Sequence, residues 1–128
     1  MKTLKVLVVD DDPMTCNLLE TILQLENYQT SSIHAINNNG IIPLLEQKKP
    51  DIIILDFHLG SQETLEYVVE IRANKIWRQL PILMTSAIDH SEASLEAGAN
   101  DFILKPYNWQ DMTKRINNIR DNLIYQEA

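Results

Sequence analysis

The sequence predicts a doubly wound α/β domain, a mostly parallel sheet with helices on both faces. Short apolar runs rich in β-branched residues recur along the 128 residues: LKVLVV (4–9), DIIILD (51–56), PILMTS (81–86) and DFILK (101–105). These runs are continuous rather than alternating, which is the pattern of strands buried on both faces. Helical periodicity fills the intervals between them, and strands alternating with helices imply right-handed crossovers between parallel neighbours.

Each element has its own signal. The first run stops at Asp10, Asp11 and Asp12, and Pro13 then opens a helix carrying the stripe Leu18, Leu19, Ile22 and Leu23. YQTSSI (28–33) is a weaker strand, polar enough for a sheet edge. NNNGIIPLLEQKK (37–49) reads as a short helix whose beginning Gly40 and Pro43 resist. After the central run DIIILD, Leu65, Val68 and Val69 mark another helix. The last helix follows Asn108, with Met112, Ile116, Ile119 and Leu123 along one face and Asp111 three residues past that cap.

Composition bounds the function. A chain with 45% hydrophobic and 23% charged residues is one ordinary globular domain. The net charge of −7, unbroken by any Lys/Arg-rich stretch, argues against a nucleic-acid binding face. The apolar run in MKTLKVLVVDDD is far too short for a signal peptide core or a membrane span, so a cytoplasmic protein without a membrane partner is expected. Cys16, the one cysteine, sits among apolar residues of a helix and reads as a packed thiol.

In sheets of this kind ligands bind outside the carboxyl ends of the strands, where strand order reverses. Asp10, Asp56, Ser86 and Lys105 each end one of the runs and should converge on that edge. Adjacent carboxylates are costly, since two unit charges about 4 Å apart repel by roughly 1 kcal/mol in water and several-fold more when partly buried. Asp12 is explained by Pro13, because proline is favoured at the first helical position just after an Asp cap. Asp10 and Asp11 are left for a cation. The set suits capture of a phosphoryl group on a carboxylate, with Asp56 as nucleophile. Magnesium takes few carboxylates and shares the phosphate oxygens, Lys105 supplies a point charge, and Ser86 a hydroxyl donor.

VVDDDP, DIIILD, MTSA and FILKP, in this order and at these spacings, resemble the receiver domain of two-component response regulators, and are similar to the single-domain chemotaxis regulator. The resemblance covers essentially the whole chain, 1–128. It implies a flavodoxin-like five-stranded sheet of order 2-1-3-4-5. It implies that Asp56 accepts a phosphoryl group from a sensor histidine kinase or phosphotransfer protein, with magnesium as cofactor and manganese as an alternative. Asp11 matches the direct metal ligand, Asp10 a ligand acting partly through water, and the backbone carbonyl of His58 a further ligand. Ser86 matches the switch hydroxyl, with Thr85 as its competitor, and Phe102 the aromatic that turns inward with it. Lys105 matches the motif lysine, and Lys105–Pro106 a bond that is usually cis in the family, X-Pro being the one bond where cis costs little. The implied protein is a signalling switch, not an enzyme beyond its own phosphorylation and dephosphorylation. Its downstream protein or output domain is not written in these residues, a homodimer is compatible with them, and both a stand-alone regulator and a receiver within a longer chain fit.

The match has departures. In DFHLGSQET, Gly60 stands where the family often has proline and Thr64 where it often has glycine, so the loop should be looser or differently turned. Ser86 to Gly98 is about three residues shorter than usual, close to one turn, so the fourth helix should be truncated. That questions the common use of the face made by the fourth helix, fifth strand and fifth helix for output or dimerisation. His58 and Ile88 match the two positions that flank the reaction in the family, and apolar Ile88 offers no help in aligning a hydrolytic water. The His58 side chain reads as lining the entrance to the site, and Trp77 and Trp109 as packing or surface anchors. Two other functions compete. Asp10 and Asp12 have the D-x-D spacing of haloacid-dehalogenase enzymes, but Met14 stands where that motif wants threonine. A degenerate receiver acting as a phosphorylation-independent interaction module should have lost Asp56, the acidic pair or Lys105, and all are present.

Overall fold

The computed structural model describes residues 2–127. Five long parallel strands form one sheet: β1 (Lys5–Val9), β2 (Gln29–Ile33), β3 (Ile52–Asp56), β6 (Ile82–Ser86) and β7 (Asp101–Leu104), in the order β2-β1-β3-β6-β7. Counting only these strands, that is the expected 2-1-3-4-5. Every residue of β3 and β6 is buried, whereas β2 is exposed or half-buried throughout, as its polar sequence requires of an edge.

Two apolar layers hold the sheet. On one face, Val6, Val8, Ile52, Ile54, Leu83 and Ile103 pack against α1 (Pro13–Leu25) and α5 (Trp109–Glu127). On the other, Leu7, Val9, Ile53, Leu55, Ile82 and Met84 meet α2 (Ile41–Lys48), α3 (Leu65–Ala73) and the region of α4 (Ser91–Ala97). Cys16 is fully buried, and its thiol faces the carbonyl of Asp10 at 3.3 Å, the inert packing expected of it.

Three details differ from the sequence reading. The buried face of α1 is Cys16, Leu19 and Leu23, while Leu18 is 60% exposed. In α3, Tyr67, Val68 and Ile71 are buried and Val69 faces solvent. Adjacent apolar residues such as Leu18–Leu19 and Val68–Val69 do not both face the sheet in a helix of 3.6-residue period, and packing chose one of each. The second helix forms despite Pro43, because it starts at Ile41 after Gly40 in a positive-φ conformation (83°), which puts the proline in the first turn, where no intrahelical N–H is needed. The last helix begins as expected: the Asn108 side chain accepts from the Asp111 N–H at 2.7 Å. The fourth helix has seven residues, the shortest of the five, in line with the short Ser86–Gly98 interval.

The segment after the central strand is a new element. His58–Leu59 (β4) and Gln62–Glu63 (β5) pair antiparallel as a small hairpin, with Gly60 at φ 61° in its turn. Glycine adopts this left-handed conformation at no steric cost, and proline could not adopt it.

Candidate functional site

Charge collects where three strands end. Asp10 continues the row of Val6 and Val8, Asp56 the row of Ile52 and Ile54, and Lys105 the row of Ile103, so all three start from the same face of the sheet. The Lys105 Nζ lies 2.8 Å from Asp10 Oδ2 and 3.2 Å from Asp56 Oδ2. Asp10 and Asp56 are 3% and 7% exposed, so this ammonium is their main source of positive charge. Asp11 is exposed, and its Oδ2 accepts from the Gly60 N–H at 2.8 Å.

Oxygens of Asp10, Asp11 and Asp56 all lie within 4.8 Å of one another. Three carboxylates against one ammonium leave the cluster short of positive charge, and hard oxygen donors at this spacing fit a magnesium-like cation. Asp12 stands apart. It caps α1, accepting from the Met14 N–H at 3.1 Å and the Thr15 hydroxyl at 2.8 Å. These two bonds, the Thr15 one foremost, hold its carboxyl below the usual range.

The cluster's titration follows from the same imbalance. Burial pushes the Asp56 carboxyl above its ordinary value; the Lys105 charge opposes the rise and the Asp10 charge adds to it. Burial alone would lower Lys105, but its hydrogen bond to Asp10 and the charges of Asp56 and Asp10 outweigh this and hold it above its usual value. One pair therefore looks favourable from the lysine and unfavourable from the aspartate. Lys105 has two carboxylates to itself, whereas Asp56 shares one ammonium with a rival.

A chain with this edge matches the family described as response regulator receiver domain over residues 6–117. The chain belongs to that family. Solved structures with the same fold include a protein assigned as a response regulator in Chloroflexus aurantiacus J-10-fl, 30% identical, covering 92% of this chain and 98% of its own at a TM-score of 0.81. The chemotaxis response regulator CheY4 of Vibrio cholerae is 22% identical over 92% of this chain and 99% of its own, with a TM-score of 0.79. A CheY-like receiver domain protein from Methanospirillum hungatei JF-1 is 23% identical over 98% and 99%, with a TM-score of 0.83.

The remaining candidate residues of this receiver domain are placed unequally. Ser86 ends β6 at the same edge, but its Oγ accepts from the Ile88 N–H at 3.2 Å and is outside the Asp10–Lys105–Asp56 network. Strand alternation puts Ser86 in the row of Ile82 and Met84, and Thr85 in the row of Leu83 on the opposite face. Phe102, 9% exposed, packs in the core on the α2–α4 side. The His58 side chain faces Glu63, its Nε2 3.9 Å from Oε2, and not the aspartates. The Lys105–Pro106 bond is cis. Trp77 is half-buried against the core, in line with packing, and Trp109 is 54% exposed.

Four features of the site were not legible in the sequence. The Thr64 hydroxyl, fully buried, donates to the Asp56 carbonyl at 2.7 Å with the Phe57 carbonyl at 3.2 Å, closing the hairpin onto the acceptor strand. The Gly60 N–H ties the hairpin tip to Asp11. Tyr107 lies beside Lys105 with its hydroxyl pushed by burial to about 12. The Phe57 and His90 rings stack with centroids 3.9 Å apart. Only the departures at Gly60 and Thr64 hinted at any of this.

Proposed function

We propose that this receiver domain, taken as the whole chain 1–128, is a phosphorylation-dependent signalling switch with Asp56 as its acceptor. Family membership carries the signalling role; the observation that carries the chemistry is the single ammonium shared by Asp10 and Asp56 beside a third carboxylate. An Asp56 carboxylate oxygen attacks the phosphorus of a phosphohistidine on a sensor kinase or phosphotransfer protein. The P–N bond breaks, its electron pair leaves with the imidazole, and an acyl phosphate forms on Asp56. Asp10, Asp11, Asp56 and the His58 backbone carbonyl would hold magnesium or manganese. That cation, when bound, neutralises charge on the transferred group.

Lys105 is already within 3.2 Å of Asp56 and can move its charge to a phosphoryl oxygen once the carboxylate is phosphorylated. Ser86 then donates its hydroxyl to another phosphoryl oxygen. Phe102, which the resemblance expects to turn inward, is already packed in the core and so repacks there as Ser86 moves, and the surface near β7 changes with them. Receiver domains serve histidine kinases on one side and effectors on the other; we propose both as partners here, with a homodimer as a further assembly. No described helix is long and apolar enough to cross a membrane, and we place the protein in the cytoplasm.

Incubation with acetyl phosphate and magnesium should give wild type a single phosphoryl adduct by intact mass, absent from Asp56→Asn. A folded wild type that stays unmodified would favour a phosphorylation-independent interaction module instead. The adduct should also be long-lived. Ile88 is 61% exposed beside the site and has no group to orient an attacking water. Ile88→Glu should therefore shorten the phosphoryl half-life by about tenfold, a small share of the roughly 10²–10⁴-fold that a fully positioned general base supplies. Equal decay of the two proteins would remove Ile88 from the account.

A further inference from the structure

The loop that carries the switch hydroxyl into α4 is fastened at two points. Of residues 87–90, Ala87, Ile88 and Asp89 are exposed and only His90 is half-buried. At the near end, the Ile88 N–H donates to Ser86 Oγ at 3.2 Å. At the far end, the His90 ring lies on Phe57, with centroids 3.9 Å apart and planes within 9° of parallel. Phe57 is itself immobilised: it is 2% exposed, follows Asp56 directly, and donates its N–H to the Thr85 carbonyl at 2.8 Å. His90 in turn starts α4, since its carbonyl accepts from the Ser94 N–H at 2.9 Å.

The stack therefore joins the residue after the acceptor to the first turn of α4. Hydrogen bonding does not explain it. His90 Nε2 is buried with no hydrogen-bond partner among the described residues, and its side chain does not cap the helix. A buried nitrogen without a partner is a cost, so the ring is held by its face and not by its polar atoms. If Ser86 is drawn toward a phosphoryl group on Asp56, the pull passes to Ile88 through the Oγ bond. It is resisted where the His90 ring lies on Phe57.

We infer that His90 is a positioning residue whose stack on Phe57 latches the β6–α4 loop and opposes the movement of Ser86 toward a phosphoryl group on Asp56. The inference rests on the reading of Asp56 and Ser86 given above. A contact made only in the resting arrangement biases the equilibrium against the other arrangement by its own worth, and an aromatic stack corresponds to about 2- to 10-fold in an equilibrium constant.

The test uses beryllofluoride with magnesium as a phosphoryl mimic, titrated into the full chain by calorimetry. His90→Ala should bind it about 2- to 10-fold more tightly than wild type. His90→Phe, which keeps a flat ring and omits the unpartnered nitrogen, should bind like wild type, and magnesium alone should bind all three equally. Equal or weaker binding by His90→Ala, or His90→Phe behaving as His90→Ala, would overturn the latch. A second readout needs no variant. The ring-current shifts of the Phe57 and His90 ring protons in wild type should collapse on saturation with beryllofluoride, and their persistence would equally overturn it. Failure of wild type to bind beryllofluoride at all would instead remove the assignment of Asp56, and the latch with it.

Discussion

Lys105→Met lowers the stability of the metal-free protein by about 2–3 kcal/mol at pH 7, and saturating magnesium returns part of the loss. Methionine keeps most of the aliphatic stem while removing the charge, so the effect reports electrostatics more than packing. Breaking a fully buried pair costs more than this. Here the Lys105 side chain is 24% exposed, against 4% for Asp10 and 10% for Asp56, and solvent screens part of the interaction.

The pH dependence has a definite sign. Lys105 is held above its ordinary value, so its stabilising contribution is present at neutral pH and is lost only as pH rises through that raised value. Asp56 is also raised, so its contribution is favourable below its unfolded value of 3.8 and is lost as pH rises through its folded one. At pH 7 wild type thus combines the benefit of Lys105 with the cost of ionised Asp56. In the variant the benefit is gone and that cost grows, and the gap between the two proteins narrows toward pH 4 as Asp56 takes a proton. Urea unfolding at pH 7 and pH 4 measures this. A gap that does not narrow would mean that the loss comes from packing.

The aspartate triplet should divide sharply. Asp11→Ala weakens magnesium binding by at least about tenfold, since even outer-shell substitutions at metal sites cost 10–100-fold. The Asp12 carboxylate is spent on the Met14 N–H and the Thr15 hydroxyl. Asp12→Ala therefore leaves magnesium affinity within about twofold and lowers Tm by roughly 5 °C, the scale of a lost helix cap. Calorimetric titration and a thermal melt on both variants decide it. Loss of binding in Asp12→Ala with retention in Asp11→Ala would reverse the assignment.

The sheet was legible because burial on both faces demands continuous apolar runs. LVV, IIIL and ILM leave few other folds for a chain that also carries helical stripes, and strand ends then dictate where Asp10, Asp56, Ser86 and Lys105 meet. The orientation of the helices was less legible. Leu18 and Leu19, or Val68 and Val69, are equivalent in hydrophobicity, and only the sheet they dock against chooses between them. The second helix is legible as a short one within 37–49, but its start is not, because whether Gly40 and Pro43 resist it depends on their standing at its cap and first turn.

The sequence by itself determined the architecture, the three carboxylates and the lysine of the candidate site, and the capping role of Asp12. Those depend on local pattern and on the rule that parallel strands expose their carboxyl ends together. Tertiary structure alone decided that Thr64 bonds the carbonyl of Asp56, that the Gly60 N–H reaches Asp11, and that His90 lies on Phe57. The last two join residues 49 and 33 positions apart in the chain (60 − 11 and 90 − 57), and such contacts arise only when the packed sheet brings separate loops to one edge. Thr64 is only 8 residues from Asp56, yet its bond depends on the hairpin folding back, of which the sequence carries no more than the unusual Gly60 and Thr64.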